Sequence, residues 1–204
     1  MLKETFIQLI GNYTTDGRLL KQLWQEIEDN YSEKKRHYHT LQHLENLLPL
    51  LLQVKENIKD WNTILFSFYY HDVVYNALKR NNEEKSAEFA QSRMQLIGAP
   101  GPMIEKCVQQ ILFTKDHLFS DDNDTNFFTD ADLSVLGQDW GVYENYFKQV
   151  RKEYSLFPDL IYIPGRKKVL QHFLQMERIF KTDFFFNKFE LAAKQNLQKE
   201  LDLL

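Results

Sequence analysis

Apolar residues recur at helical spacing along nearly the whole chain. Phe6, Leu9 and Ile10 fall on one side of a short first helix, which Gly11 and Asn12 end. Asp16 suits an N-cap for the next helix, where Leu19, Leu20, Leu23, Trp24 and Ile27 share a face. Residues 31–39 are polar and basic and read as irregular. Thr40 then caps a helix whose apolar side carries Leu41, Leu44, Leu47, Leu48, Leu51 and Leu52, with Pro49 expected to kink or break it.

The run 61–75 is apolar and aromatic all round, and its length and lack of turn residues predict a buried helix. A helix over 83–97 follows Asn81 and Asn82, with Ala87, Ala90, Met94 and Ile97 facing inward. The Gly98-Ala99-Pro100-Gly101-Pro102 stretch is the clearest break. Further helices are predicted over 103–113, 127–137, 140–157, 169–180 and 189–201, with an acidic loop at 120–124 and turns at Pro158 and Pro164-Gly165. The fold class expected is all-α, a helical bundle formed by residues 1–204 as one domain.

Composition narrows this only a little. Seven Gly and five Pro leave little material for the turns of an all-β fold. A net charge of −4 gives no general attraction to nucleic acid, which is not expected as a partner. The single cysteine, Cys107, excludes an intramolecular disulfide and any multi-cysteine metal cluster. The N-terminus has no apolar signal-peptide core, and no run approaches the roughly 20 apolar residues of a membrane span. A cytoplasmic location without membrane association is expected. Oligomerisation is left open.

The chemistry is concentrated in three places. His71 and Asp72 sit at the far end of the aromatic run, where an imidazole beside a carboxylate needs a compensating partner such as a metal ion. Adjacent helical positions point about 100° apart, so both bind one ion only from the edge of the helix. Upstream, His39 and His43 are four residues apart and can share a helix face. Downstream, Asp130 and Asp132 interrupt an apolar helical run. Asp130 also suits a helix cap, so the last ligand is left between the two. Asp121, Asn123 and Thr125 alternate as in a calcium loop with Asp132 at its last position, but Asn126 replaces the turn glycine and Asp132 the terminal glutamate, which disfavours that reading.

The order His43, His71-Asp72, Asp132 resembles the signature of the HD-domain metal-dependent phosphohydrolases. The segments 36–45, 70–75, 82–87, 130–137 and 162–174, with the last helix, are similar to a family of small bacterial HD-type proteins annotated in general terms as phosphohydrolases. The resemblance implies that His43, His71, Asp72 and Asp132 bind a divalent metal, one ion rather than two. The spacing Tyr38-His39-x-x-x-His43 is also similar to that of cyclic-nucleotide phosphodiesterases, which implies His39 as proton donor.

Two imidazoles and two carboxylates suit Mn, Fe, Co, Ni, Zn or Mg without choosing among them. Glu84, with Glu83 beside it, is a candidate for orienting the attacking water or accepting its proton, and Lys115 for a catalytic role. Arg36, His117 and Arg166 are candidates for binding the substrate, since an arginine fork suits phosphate. The expected substrate is a small phosphomonoester or phosphodiester, a nucleotide among the options. Two alternatives stand beside this: a non-catalytic metal-binding scaffold, and a di-iron oxygenase, which needs more histidines than His117 supplies.

Overall fold

The computed structural model describes residues 1–204. The chain is all-α, with ten α-helices and no strand. They are α1 (Leu2–Gly11), α2 (Gly17–Tyr31), α3 (Leu41–Gln53), α4 (Trp61–Tyr70), α5 (Asn82–Leu96), α6 (Gly101–Phe113), α7 (Asn123–Asp132), α8 (Trp140–Glu153), α9 (Asp159–Gln175) and α10 (Asp183–Leu203). Short 3₁₀ segments occupy Lys55–Asn57 and Leu133–Gly137. No helix is long and apolar enough to cross a membrane. The chain, expected as one domain, has its internal contacts gathered in two compact units, Met1–Thr129 and Asp130–Leu204, and the dividing point falls inside α7.

In the first unit α4 is the core element. Every residue from Thr63 to Tyr70 is buried, which explains why this run shows no amphipathic period. Neighbours α1, α5 and α6 cover it. Phe6 of α1 lies against the rings of Trp24, Tyr69 and Tyr70. The polar groups of α4 are paired inside the core: Ser67 Oγ donates to Gln110 Oε1 (2.7 Å), and Tyr69 Oη donates to the Leu2 carbonyl (2.7 Å). Asp60 caps the start of α4 through the Thr63 amide. Asp124, buried in the first turn of α7, accepts the amides of Lys59 and Asp60 and the ammonium of Lys106, each at 2.9 Å. Asp122 caps α7 by accepting from Thr125, so the acidic loop serves as a helix start.

The second unit packs α8 and α10 on the 3₁₀ segment and α9 on α10. Gly137 is required here by close approach: a Cβ at this position would lie 2.5 Å from Phe189 Cβ and 2.6 Å from its carbonyl oxygen. Asn196 holds the same segment by donating to the carbonyls of Leu136 and Gln138. Arg166, Glu200 and Tyr143 form a buried polar cluster, in which Arg166 donates to both Glu200 oxygens (2.7 and 2.8 Å) and Tyr143 Oη donates to Glu200. Burial beside the Glu200 charge pushes the Tyr143 phenol far above its ordinary range.

Several boundaries differ from the sequence pattern. The aromatic helix stops at Tyr70 instead of continuing to residue 75. Pro49 lies within an unbroken α3 on its exposed side, where water can serve the carbonyl that lost its amide partner. Pro164 and Gly165, expected as a turn, lie inside α9, which begins at Asp159. Pro164 is in the second turn of that helix, so little hydrogen-bond ladder is lost upstream of it. α10 starts at Asp183, six residues ahead of the expected start at 189.

Candidate metal centre

The early end of α4 answers the difficulty of placing two ligands on adjacent residues. His71 is the C-cap, still in helical conformation, and residues 71–74 form turns and bends instead of another helical turn. Released from the helix, the Asp72 carboxylate approaches its neighbour's ring: Oδ2 lies 3.2 Å from His71 Nε2 and 4.0 Å from His43 Nε2. His43, the third residue of α3, reaches the same point, with the two Nε2 atoms 3.1 Å apart. Both histidines are buried, at 4% and 1% exposure. Phe128 lies edge-on to the His71 ring and Tyr38 lies 5.0 Å from the His43 ring, which restrains both imidazoles.

The His71 ring has a defined proton position. Its Nδ1 lies 3.0 Å from the Phe68 carbonyl, which can only accept, so Nδ1 carries the hydrogen. In the neutral ring Nε2 then presents a lone pair, and that lone pair faces the Asp72 carboxylate at 3.2 Å. Two electron-rich atoms so close require a cation between them, a ring proton or a metal ion. A carbonyl holding the far nitrogen of a ligand imidazole is the usual orienting device of metal-bound histidine.

The last residue of α7 is Asp132, and α7 brings it to this group. Ligand atoms of His43, His71 and Asp132 all lie within 4.8 Å of one another. Metal–ligand bonds of about 2.0–2.2 Å place cis donors about 3 Å apart and trans donors a little over 4 Å apart. The observed separations fit that pattern after small side-chain adjustments. Two buried histidines and a half-buried aspartate can hold a divalent ion, with Asp72 at hand as a further carboxylate.

Asp130 does something else. Fully buried, it accepts the amides of Lys181 (2.9 Å) and Thr182 (2.7 Å) and the Thr182 hydroxyl (2.7 Å), and so anchors the start of α10. Burial raises its pKa despite these partners, and burial lowers that of Lys181, whose Nζ is 3.5 Å away.

Two expected substrate residues are committed elsewhere. Arg36 is buried and donates to the backbone carbonyls of His39 (3.2 Å), Asp72 (2.6 Å) and Val73 (2.9 Å). It ties the segment entering α3 to the residues leaving α4, and a phosphate could claim it only by stranding three carbonyls. Arg36→Lys keeps the charge but loses the fork, and should destabilise the fold by about 2–4 kcal/mol in denaturant titration while lowering metal content. Arg166, expected to bind phosphate, is buried and already bidentate to Glu200, where its departure would leave a buried carboxylate unpaired.

The remaining candidates are more open. The His39 ring precedes α3, stacks on Tyr75 (4.1 Å between centroids) and lies 6.3 Å from the His43 ring. Glu84 pairs with the Lys115 ammonium, which also donates to the Arg80 carbonyl, so the two bind each other at the edge of α5. That hydrogen bond lowers the Glu84 pKa and raises that of Lys115. Glu83, beside Glu84, is half-buried, and burial raises its pKa, with the Asp72 charge adding to the rise. Both glutamates lie in the first turn of α5, and only the phase of the helix separates them. His117 follows α6 with a left-handed backbone (φ 51°) and is half-buried. Comparison with family models, with curated proteins and with solved structures gave no match.

Proposed function

We propose that this chain is a metal-dependent phosphohydrolase of the HD-domain type, acting on a phosphomonoester or phosphodiester of a nucleotide or other small metabolite. One observation carries the reading: the His43, His71 and Asp132 ligand atoms within 4.8 Å of one another, with Asp72 3.2 Å from His71. A divalent ion held there would supply Lewis-acid polarisation of the phosphoryl group and would activate water for attack near neutral pH.

The protein's own groups do the rest. His43, His71, Asp72 and Asp132 would bind and orient the ion, while the buried Phe128 ring, edge-on to His71, keeps bulk water from that side. Glu83, with its raised proton affinity, accepts the proton given up by the attacking water. His39, held against Tyr75, donates a proton to the departing alkoxide, so that water and ester yield alcohol and phosphate. On this reading His117 is a substrate contact, and the Glu84–Lys115 pair supports the start of α5. A cytoplasmic setting suits a chain whose only cysteine is buried and unpaired.

The test is phosphate release from a panel of nucleotides and phosphate esters with Mn, Fe, Co, Ni, Zn or Mg added. Wild type should turn over at least one ester, and Asp132→Asn should lower kcat/KM by about 100-fold or more. Release that Asp132→Asn leaves unchanged, or turnover seen only with oxygen and reduced iron, would overturn the proposal.

A further inference from the structure

We infer that a cleft between α1, α3 and α4, at the other end of α3 and α4 from the metal ligands, binds a nucleoside 5′-monophosphate by its base. The inference stands apart from the metal-ligand reading, since none of His43, His71, Asp72 and Asp132 lines the cleft.

The cleft has a volume of about 370 Å³, within the range of small-molecule sites. α3 carries His43 in its first turn and Leu52 in its last, about 13 Å further along the axis. α4 starts at Trp61 and is capped by His71, about 15 Å away. The cleft takes Leu52 and Trp61, so it and the metal centre use opposite ends of the same two helices. Its floor is apolar: Leu9, Leu48 and Leu65 are buried there, while Leu52 is 46% exposed.

The polar groups around this floor define what fits. Gln8 and Asn12, one turn apart at the end of α1, both line the cleft, and their side-chain amides bond to no other group of the chain. The Asn62 amide is oriented by Nδ2 donating to the Tyr13 hydroxyl (3.3 Å), which donates in turn to Met103 Sδ (3.2 Å). Asn62 Oδ1 is left as an acceptor. Amides that both donate and accept match the edge of a nucleobase, which does the same.

Trp61 supplies an aromatic surface. Lys55 Nζ lies 5.5 Å from the centre of its ring, and such a contact is weak at an exposed site. A base stacked on the indole replaces it and frees the ammonium for the phosphate. No carboxylate lines the cleft, and the Met1 ammonium at its edge is already tied to Glu4 (2.7 Å). The lining therefore accepts an anion and offers nothing to a polyamine.

The probes are adenosine and uridine 5′-monophosphates, their nucleosides and ribose 5-phosphate, titrated by calorimetry into the full chain with chelator present. At least one monophosphate should bind with a dissociation constant below about 100 µM, and ribose 5-phosphate should not bind below about 1 mM. The matching nucleoside should bind about three- to fivefold more weakly, and Lys55→Ala should erase that difference. Trp61→Ala should weaken binding at least about tenfold. Should that variant fail to fold, Leu52→Glu, at an exposed position of the wall, carries the same expectation. His71→Ala should bind as wild type does. The inference is overturned if neither monophosphate binds at about 1 mM, or if ribose 5-phosphate binds equally well. Binding indifferent to Trp61→Ala and Leu52→Glu, or lost in His71→Ala, overturns it too, the last by moving the nucleotide to the metal centre. Metal uptake by the same protein without chelator tests that centre separately.

Discussion

His71→Ala should leave the purified protein with almost no bound metal, where wild type should hold about one ion per chain by elemental analysis. The expectation follows from where the ring sits. His71 Nε2 is the atom closest to both partners, 3.1 Å from His43 Nε2 and 3.2 Å from Asp72 Oδ2, so its loss opens the middle of the ligand set. Asp72→Ala should also reduce occupancy, with a smaller effect, since the other ligand atoms remain within 4.8 Å of one another. Phosphate release, where found, should fall by at least about 100-fold in His71→Ala, because the ion's contribution to the barrier is several kcal/mol. His71→Gln separates size from ligation: it restores volume against Phe128 but not the imidazole, and should remain metal-poor. Metal content unchanged in both His71→Ala and Asp72→Ala would remove the centre from consideration.

The second large effect concerns stability. Asp130→Ala should cost about 3–5 kcal/mol in denaturant titration carried out with chelator present. The substitution strands two amides and a hydroxyl at the start of α10, and leaves the buried Lys181 ammonium without its nearest counter-charge. Asp132→Asn, two residues along the same helix, should shift the same titration by less than about 1 kcal/mol. Adding Lys181→Met to Asp130→Ala should recover part of the loss, since it removes the orphaned charge but not the orphaned amides. A loss below about 1 kcal/mol for Asp130→Ala would show that its buried bonds are not what holds α10 in place.

The contrast between these two aspartates shows what a sequence can and cannot disclose. Helical periodicity made the helices legible, because amphipathic faces at 3.6-residue spacing are local. The order of His43, His71-Asp72 and Asp132 singled out as candidate ligands the His43, His71 and Asp132 side chains that the fold brings within 4.8 Å of one another. The assignment between Asp130 and Asp132 was not legible. It depends on which carboxylate meets the Lys181 and Thr182 amides, a partner more than 50 residues away. Arg36 and Arg166 looked available for phosphate for the same reason: burial and backbone partners of a charged side chain are tertiary facts. The end of α4 at Tyr70 was hidden too, since nothing between 61 and 75 breaks a helix, and the chain leaves it where Arg36 captures the Asp72 and Val73 carbonyls.

That guanidinium has a thermodynamic consequence. By fastening the segment before α3 to the residues after α4, it arranges the candidate ligands with bonds that owe nothing to an ion. Metal uptake therefore does not have to drive folding, as it does in a zinc finger. An ion bound there would act on stability by mass action: the melting point should climb steadily with free-ion concentration, by about 1.4 kcal/mol of folded-state stabilisation for each tenfold rise above the dissociation constant. A framework held by such bonds would let one divalent cation replace another while the chain stays folded, and the occupant would then follow supply as much as intrinsic preference.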